Sequence, residues 1–215
     1  MQFALGSSNL NAQRIFCIGK NYAEHVKELG GRAPGQPVVF MKPVSCLVPV
    51  GESIRMPTHG SNLHHEAEVV VVIGKAGKNI PESTASAYIA GLTLGLDLTL
   101  RDVQSDMKKK GWPWEISKAF DYSAPCGHPI AFDENIPLDN ISFECRVNGT
   151  VRQTGNSGEM MFAIPYLIHF LSGIWELMAG DLIYTGTPSG VGPLHSGDRV
   201  TLHSNLLGTF EWPLA

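Results

Sequence analysis

The stretch that decides the fold is HHEAEVVVVI, residues 64–73, in which two glutamates directly precede a run of valines. β-Branched residues favour strands, so we predict a strand from Glu66 to Ile73. Side chains two residues apart on a strand share a face, which places Glu66 beside Glu68. Two ionised carboxylates that lie so close in an apolar strand must take up a proton or hold a cation. A divalent metal is the simplest such cation.

A third carboxylate stands in a similar setting, because Asp97 follows the apolar segment 89–96. Together with Glu66 and Glu68 it predicts a site of hard oxygen ligands. Such ligands suit Mg²⁺ or Mn²⁺, with Ca²⁺ as a possible substitute, better than they suit Zn²⁺.

Two other interpretations of these residues stay open. In the first, His64 and His65 ligate Zn²⁺, although adjacent residues of a strand face opposite ways. In the second, the two glutamates lie on the solvent face of an edge strand, and Asp97 caps a helix that begins near Leu100.

Length and composition indicate one domain of ordinary size. The chain has 215 residues, a formal charge of -4, a pI near 6.0 and four cysteines without paired metal-type spacing. A chain of this length buries most of its unfolded surface without disulfides, so we expect one domain over 1–215 and reduced thiols. The acidic balance argues against a nucleic-acid partner, and we interpret the basic run 108–110 as a solvated helix end. No segment resembles a signal peptide or a membrane span, which predicts a soluble, cytoplasmic protein with no membrane partner.

Prolines and glycines punctuate many short apolar runs, which is typical of a strand-rich α+β fold, mainly β. We predict short helices over Ala23–Leu29 and Leu100–Lys110, and a third that begins near Pro165 with an apolar stripe. The segments 30–37 and 111–128 are expected to be long loops. The predicted strands are Arg14–Ile18, Val38–Lys42, Glu66–Ile73, Ile89–Leu98, Ile141–Val147, Asp181–Tyr184 and Arg199–His203.

Several polar residues have the spacing or setting of a catalytic site. His25 and Glu28 are three apart on the first helix, where a carboxylate can orient an imidazole and raise its basicity. Lys118 lies among apolar neighbours and can balance an oxyanion, or it can be a surface lysine with a buried stem. Arg101 and Gln104 are one helical turn apart beyond Asp97 and can bind a substrate carboxylate. Alternatively, His25, Arg101 and Gln104 are ordinary residues of the helix surface.

The turn TGTPSGVG, residues 185–192, is rich in hydroxyls and backbone N–H groups that can receive an anion. It lacks the GK[ST] ending of a Walker motif, and its glycines do not fit GxGxxG. Nucleotide binding is therefore not expected.

Six motifs, taken in order and with their spacing, resemble those of the fumarylacetoacetate hydrolase family. They are CIGKNYAEHVKELG, FMKP, HHEAEVVVVIG, GLDLTLRDVQ, KKKGWPWEISKAFD and GDLIYTGTPSGVG. The resemblance extends from about Arg14 to Trp212 and is greatest to short, single-domain members of the acylpyruvase and fumarylpyruvate hydrolase type. It implies a mixed β-sandwich roll in a homodimer, with an N-terminal segment of about 1–37 that carries a lid helix.

The same resemblance assigns roles to residues of this sequence. Mg²⁺ or Mn²⁺ would be held by Glu66, Glu68 and Asp97. A dyad on the lid would consist of His25 and Glu28. Lys118 and Gln104 would meet the substrate, and Thr187 would line the pocket.

The activity implied is hydrolysis of a carbon–carbon bond in a small 2-keto acid, a 3-acylpyruvate, to pyruvate and a carboxylic acid. A tautomerase or decarboxylase acting on oxaloacetate, and an isomerase of the 2-hydroxyhepta-2,4-diene-1,7-dioate type, need the same metal-bound enolate. A non-catalytic metal-binding homologue is a further alternative. Lys20, a predicted substrate-binding residue, stands where the motif of the mitochondrial members has an arginine. Because lysine does not form the two-pronged carboxylate contact of arginine, substrate preference is expected to differ. The lack of an Arg-rich leader favours a bacterial setting.

Overall fold

A computed structural model describes residues 1–5, 8–28, 30 and 32–215 of the chain. In chain order the strands are β1 (Gln2–Leu5), β2 (Ser8–Asn11), β3 (Ile15–Gly19), β4 (Val38–Lys42), β5 (Leu47–Val48), β6 (Leu63–His65), β7 (Ala67–Ile73), β8 (Ile89–Leu96), β9 (Thr99–Leu100), β10 (Ala124–Pro125), β11 (Ile130–Ala131), β12 (Ser142–Val147), β13 (Thr150–Asn156), β14 (Leu182–Tyr184), β15 (Gly192–Pro193), β16 (Arg199–Ser204) and β17 (Gly208–Pro213). The α-helices are α1 (Ala23–Glu28), α2 (Arg101–Lys110), α3 (Glu115–Lys118) and α4 (Ile164–Ile174), and 3₁₀ helices cover Val44–Cys46, Glu82–Tyr88 and Ser157–Glu159.

The valine-rich strand lies in the middle of the largest sheet, whose order is β11-β8-β7-β14-β3-β4. Both of its faces are buried: Val69 and Val71 pack into one hydrophobic core, and Val70 and Val72 pack into another. A strand covered on both sides needs apolar residues at every position, which explains the unbroken run. The pairing of β14 with β3 is parallel, and the other neighbours in this sheet are antiparallel.

A second sheet, ordered β13-β12-β16-β17, packs against one face of the first. Phe143, Leu202 and Trp212 of this sheet share a core with Val69 and with the apolar stripe of α4. The other face of the central sheet is covered partly by the β1–β2 hairpin. Because the sheets are mixed and the helices are short, the α+β, mainly β prediction is confirmed.

The predicted boundaries hold to within one or two residues at most elements. Two of the differences matter for the site. Glu66 lies just before β7 rather than inside it, and Asp97 follows the end of β8. The first helix is seen from Ala23 to Glu28, and Leu29 lies outside the described residues. The third helix begins at Ile164, so Pro165 stands in the first turn as predicted.

The prediction of a long loop over 111–128 is wrong, because this segment contains α3 and β10. Several strands were not predicted, among them β1, β2, β17 and β13, the last of which has mostly polar and exposed residues. Asn148 and Gly149, which join β12 to β13, both have positive φ angles of 51° and 79°. Asn-Gly in that conformation is the favoured two-residue hairpin turn, and this pair was the signal for the missing strand.

No helix among the described residues is long and apolar enough to cross a membrane. All four cysteines are buried and unpaired, as expected of reduced thiols.

Candidate active site

A cavity of about 260 Å³ opens where several elements of the central sheet meet at one edge. The strands β3, β8 and β14 end there, and the antiparallel β7 begins there. The cavity is lined by Ile18, Gly19, Lys20, His25, Val26, Phe40, Glu66, Glu68, Arg101, Gln104, Lys108, Trp114, Lys118 and Thr187. Eight of the ten residues singled out from the sequence are in this set. The other two, Glu28 and Asp97, contact members of it.

Glu66 and Glu68 line the floor of the cavity, and a third buried carboxylate, Asp97, lies directly beside them. Glu66, Glu68 and Asp97 are 4%, 1% and 2% exposed, and each offers one oxygen within 4.8 Å of the others. The strands fix this geometry: the Asp97 N–H donates to the Glu66 carbonyl at 2.9 Å, and Glu68 faces Gly95 across the β7–β8 ladder. A Cβ at Gly95 would come within 2.9 Å of the Pro125 carbonyl oxygen, so this position requires glycine.

The alternative that placed these groups on a solvent-facing edge strand is wrong. The strand β7 is interior, with β8 on one side and β14 on the other. The N-cap position of α2 is Leu100, so Asp97 does not cap that helix.

Two of the carboxylates differ in their electrostatic surroundings. Burial, together with the nearby Asp97 and Glu66, raises the pKa of the Glu68 carboxyl well above its usual range. Burial also acts to raise the pKa of Glu66, but the Lys118 and Arg101 cations outweigh it and hold that pKa well below its usual range. Glu68 accepts a hydrogen bond from the Gly186 N–H at 2.8 Å. The surroundings of Glu68 therefore disfavour its ionised form, which a bound cation would favour.

Lys118 lies inside the carboxylate cluster. Its Nζ donates to Glu66 Oε2 and to Asp97 Oδ2, both at 2.6 Å, and the residue is 3% exposed. Burial lowers the pKa of this ammonium, but Asp97 and Glu66 outweigh burial, so the pKa is raised above its ordinary value. The alternative of a surface lysine with a buried stem is wrong.

A second buried lysine was missed in the sequence. Lys42, at the end of β4, places Nζ 2.8 Å from Asp97 Oδ1 and donates to the carbonyls of Leu98 and Ser123. It is 1% exposed. The signal was available, because a lysine that ends the apolar strand VVFMK is the same kind of exception as a glutamate beside valines.

The donor set fits a hard divalent cation. Asp97 Oδ1 is buried and receives no hydrogen bond, since its contact with Lys42 is an ion pair outside hydrogen-bond geometry. An ion bound by Glu66, Glu68 and Asp97 would satisfy that oxygen and remove the repulsion at Glu68.

The zinc alternative is wrong for the described residues, where this all-carboxylate group is the one cluster of three or more metal-ligand side chains. His65 Nδ1 contacts Gln153 Oε1 at 2.8 Å, and His64 Nε2 contacts Asn62 Oδ1 at 3.0 Å. Neither histidine joins the carboxylates.

A histidine–glutamate pair lies at the cavity wall formed by α1. His25 Nδ1 is 3.1 Å from Glu28 Oε2, and His25 is 4% exposed, so the surface alternative for this histidine is wrong. The other oxygen of Glu28 accepts from the Gly190 N–H at 3.0 Å. The glycine-rich turn thus receives anions, as its sequence predicted, and they are the protein's own Glu28 and Glu68.

Asn21 attaches α1 to the rest of the site and was also missed. It is fully buried, and its side chain donates to the carbonyls of Phe162 and Thr185 and accepts from the Phe162 N–H. The chain at Gly186 has φ +103° and passes so close that an added Cβ would lie 2.6 Å from Asn21 Cβ. Asn21 therefore fixes the distance between the helix of His25 and the turn that binds Glu68.

Four further predicted residues line the cavity: Arg101, Gln104, Thr187 and Lys20. Arg101 pairs with Glu66 and donates to Gln104 Oε1 at 2.9 Å, so neither residue is ordinary helix surface. Thr187 Oγ1 accepts from Gln153 Nε2 at 2.8 Å. Lys20 has a φ angle of +60°, a conformation that L-residues rarely adopt and that recurs at functional sites.

Lys108 is exposed, as the prediction of a solvated helix end requires, but it also reaches the cavity wall. Its Nζ lies 5.2 Å from the centre of the Trp114 ring, and the residue lines the cavity. The other two lysines of the run, 109 and 110, are exposed as expected.

The family pattern described as fumarylacetoacetate (FAA) hydrolase C-terminal matches residues 14–215. The chain belongs to the fumarylacetoacetate hydrolase family. Fumarylpyruvate hydrolase from Pseudomonas aeruginosa, crystallised in complex with Mn²⁺ and pyruvate, has the same fold with a TM-score of 0.94 and 33% identity. That similarity covers 100% of this chain and 95% of that one. The expected mixed β-sandwich roll of the family is thereby confirmed.

Two curated relatives in the family carry other activities in their names. The mitochondrial oxaloacetate tautomerase of Mus musculus is 45% identical over 87% of this chain and 85% of its own length. The mitochondrial oxaloacetate decarboxylase of Dictyostelium discoideum is 44% identical over 87% of both chains. Relatives of this chain thus include hydrolases, tautomerases and decarboxylases.

Proposed function

We propose that this protein is a divalent-metal-dependent hydrolase that cleaves a carbon–carbon bond in 3-acylpyruvates, such as acylpyruvate or fumarylpyruvate. The products are pyruvate and a carboxylic acid. The observation that carries the proposal is that one cavity contains both a carboxylate triad and a buried His25–Glu28 pair. The first is suited to hold a cation, and the second is suited to activate water.

Glu66, Glu68 and Asp97 would hold the ion, with Mg²⁺ or Mn²⁺ as the candidates. When bound, the ion supplies Lewis acidity toward the oxygens of a 2-oxo acid. The Mn²⁺ and pyruvate in the Pseudomonas structure support this choice of ion and of product.

His25 takes the proton from a water molecule as hydroxide adds to the distal carbonyl, C4, of the 3-acylpyruvate. Glu28, at Nδ1, fixes the tautomer that leaves Nε2 free to accept that proton. The C3–C4 bond then breaks, its electron pair forms the enolate of pyruvate, and C4 leaves as the carboxylic acid. Lys118 faces the negative charge that develops, and the proton held by His25 goes to C3. One water is consumed, and no redox partner is needed.

The second candidate is interconversion of the enol and keto forms of oxaloacetate, or its decarboxylation. It is favoured by identities of 45% and 44% to the mouse and Dictyostelium relatives. The same groups serve it, since His25 can move a proton at C3 while Lys118 faces the enolate.

The test measures pyruvate release from acetylpyruvate and fumarylpyruvate with Mg²⁺, with and without EDTA. Oxaloacetate is run in parallel, with enol absorbance and CO₂ followed separately. We expect pyruvate release that EDTA abolishes and Mn²⁺ restores. A change in enol absorbance alone would replace hydrolysis by the second candidate. If Mn²⁺ binds but no substrate turns over, the protein is a non-catalytic homologue.

We also propose a cytoplasmic homodimer, as the resemblance implies, with a small 2-keto acid as substrate. Light scattering tests the dimer separately, and a monomer would leave the chemistry unaffected.

A further inference from the structure

One side chain of the second sheet reaches the edge of the candidate active site. Gln153 is 1% exposed, although most of its strand, β13, is exposed. Its amide oxygen accepts from the Ala67 N–H at 3.0 Å and lies 2.8 Å from His65 Nδ1. Its amide nitrogen donates to Thr187 Oγ1 at 2.8 Å and to the Pro188 carbonyl at 2.9 Å. Both lone pairs and both hydrogens of the amide are therefore used within the protein.

The backbone partners fix which way round this amide lies. The Ala67 N–H can only donate, so the group that faces it is the amide oxygen of Gln153. The Pro188 carbonyl can only accept, so the group that faces it is the amide nitrogen. Because the amide cannot be reversed, Thr187 Oγ1 must accept from it. That hydroxyl still has one hydrogen to donate.

The hydrogen of the Thr187 hydroxyl is left for the cavity. Within the described part of the chain, Gln153 is the one hydrogen-bond partner of Oγ1. Thr187 is 3% exposed and lines the cavity together with Glu66 and Glu68. It directly follows Gly186, whose N–H donates to Glu68. A buried hydroxyl whose acceptor side is occupied is prepared to donate to an anionic oxygen in the cavity.

The same glutamine helps to fix the glycine-rich turn on the second sheet. An added Cβ at Gly190 would lie 2.3 Å from the Arg152 carbonyl oxygen, so the turn packs directly on the backbone of β13. The Gly190 N–H in turn donates to Glu28. The hydrogen bond from Gln153 to Pro188 therefore attaches a turn from which residues of the cavity wall are held.

We propose that Gln153 is a positioning residue, which makes Thr187 a hydrogen-bond donor to an anionic oxygen of the bound 2-oxo acid. Gln153 itself lies outside the set of described residues that line the cavity, so it acts through Thr187. The inference rests on the proposed function, from which it takes the metal site and the class of ligand. A carboxylate in place of this amide could not donate. The Thr187 hydroxyl would then turn its hydrogen toward that carboxylate and its lone pairs toward the cavity.

The decisive measurement is equilibrium binding of pyruvate, which needs no turnover. Isothermal titration calorimetry with the Mn²⁺-loaded protein compares the wild type with Thr187→Val, which removes the donor, and with the near-isosteric Gln153→Glu. We expect each variant to bind pyruvate about tenfold more weakly, as for the loss of one charge-assisted hydrogen bond. Thr187→Ser keeps the hydroxyl and should retain most of the affinity.

The double variant separates positioning from a merely structural or electrostatic role. Adding Thr187→Val to Gln153→Glu should cost little further affinity, because the hydroxyl already points away from the ligand. Gln153→Met removes the donor without adding a charge and should show the same lack of additivity. Gln13→Glu makes the same substitution at an exposed glutamine and should leave pyruvate affinity unchanged. Circular dichroism and Mn²⁺ titration establish that each variant is folded and loaded.

Three results would overturn the inference. One is unchanged pyruvate affinity in Gln153→Glu. Another is a double variant whose loss is the product of the single losses, about a hundredfold, since Gln153 would then act independently of Thr187. The third is a Mn²⁺-loaded wild type that does not bind pyruvate. Failure of the proposed reaction is distinguishable, because non-additive losses in pyruvate binding without turnover of any 3-acylpyruvate would reject hydrolysis and keep the role of Gln153.

Discussion

The two ends of the central sheet both bury charge, and they do so in opposite ways. At one end Asp181, which precedes β14, is fully buried against Arg14, which precedes β3. The guanidinium donates to Oδ1 at 3.0 Å through Nε and to Oδ2 at 2.5 Å through Nη2, and the Met178 N–H donates to Oδ2 at 2.7 Å. Every oxygen of this carboxylate has a donor.

At the other end of the same strands the charges do not match. Glu68 lies beside Glu66 and Asp97, and its pKa is raised by burial and by those neighbours. Asp97 Oδ1 lacks a hydrogen-bond donor. A buried charge that serves the fold is satisfied within the chain, whereas the charges at this end are suited to the cation that we propose. Both groups of charges are buried to a similar degree, so burial alone does not distinguish a structural ion pair from a candidate binding site. The balance of charge within each group does.

The largest effect is expected at the mismatched end. Glu68→Gln should reduce turnover by more than about a thousandfold, because it removes a ligand of the ion on which charge stabilisation depends. Mn²⁺ titration should show lost affinity. The metal-free variant should melt at the same temperature as the metal-free wild type or higher, since a like charge leaves a buried cluster. A marked fall in melting temperature would contradict the assignment of Glu68 to a ligand site.

At the matched end, a substitution should lower stability and leave activity unchanged. Asp181→Asn should lower the free energy of unfolding by about 3 kcal/mol, because it leaves the Arg14 cation without its partner. The partly exposed guanidinium keeps the loss at the lower end of the range for buried pairs. Urea unfolding measures the loss, and the activity of the folded fraction should be unchanged. Reduced Mn²⁺ affinity in this variant would show that the two ends are coupled.

A third variant tests chemistry at the mismatched end without touching the ion. His25→Gln should lower turnover by about a hundredfold, since a general base is lost while Mn²⁺ affinity is retained. Lys27→Gln, on the exposed side of the same helix, is the control. A His25 variant that keeps full rate would remove the dyad from the mechanism.

The smallest effect concerns a satisfied polar group at the active end. Asn21→Ala should reduce kcat by about tenfold with unchanged Mn²⁺ affinity, because Asn21 holds α1 against Phe162 and Thr185 but touches no carboxylate. Steady-state kinetics and Mn²⁺ titration separate the two quantities. A loss of metal affinity equal to the loss of rate would indicate general unfolding of the site.

Residues that violate a local pattern could be found from the sequence. Glu66, Glu68 and Asp97 stand out because carboxylates interrupt apolar strands, and His25 and Glu28 because their spacing places them on one face of a helix. Spacing alone did not distinguish a buried histidine from an exposed one. The depth of His25 depends on Asn21 and on a turn more than 160 residues away in the chain.

Residues that work through long-range partners were not found. Gln153 lies on a mostly exposed polar strand, yet its side chain contacts His65 and donates to Thr187. Nothing local marks Gln153, because the groups that give it a role come from other parts of the sequence.

The sequence by itself determined the valine-rich strand, the α+β class and the three carboxylates that break apolar strands. Each of these follows from side-chain type and from a period of two residues along a strand, which are properties of neighbouring positions. Only the tertiary structure decided which buried charges are matched. It pairs Asp181 with Arg14 and places Lys42 and Lys118 around Asp97. Electrostatic energy depends on distances of a few ångströms between groups far apart in the chain, and only the folded chain sets those distances.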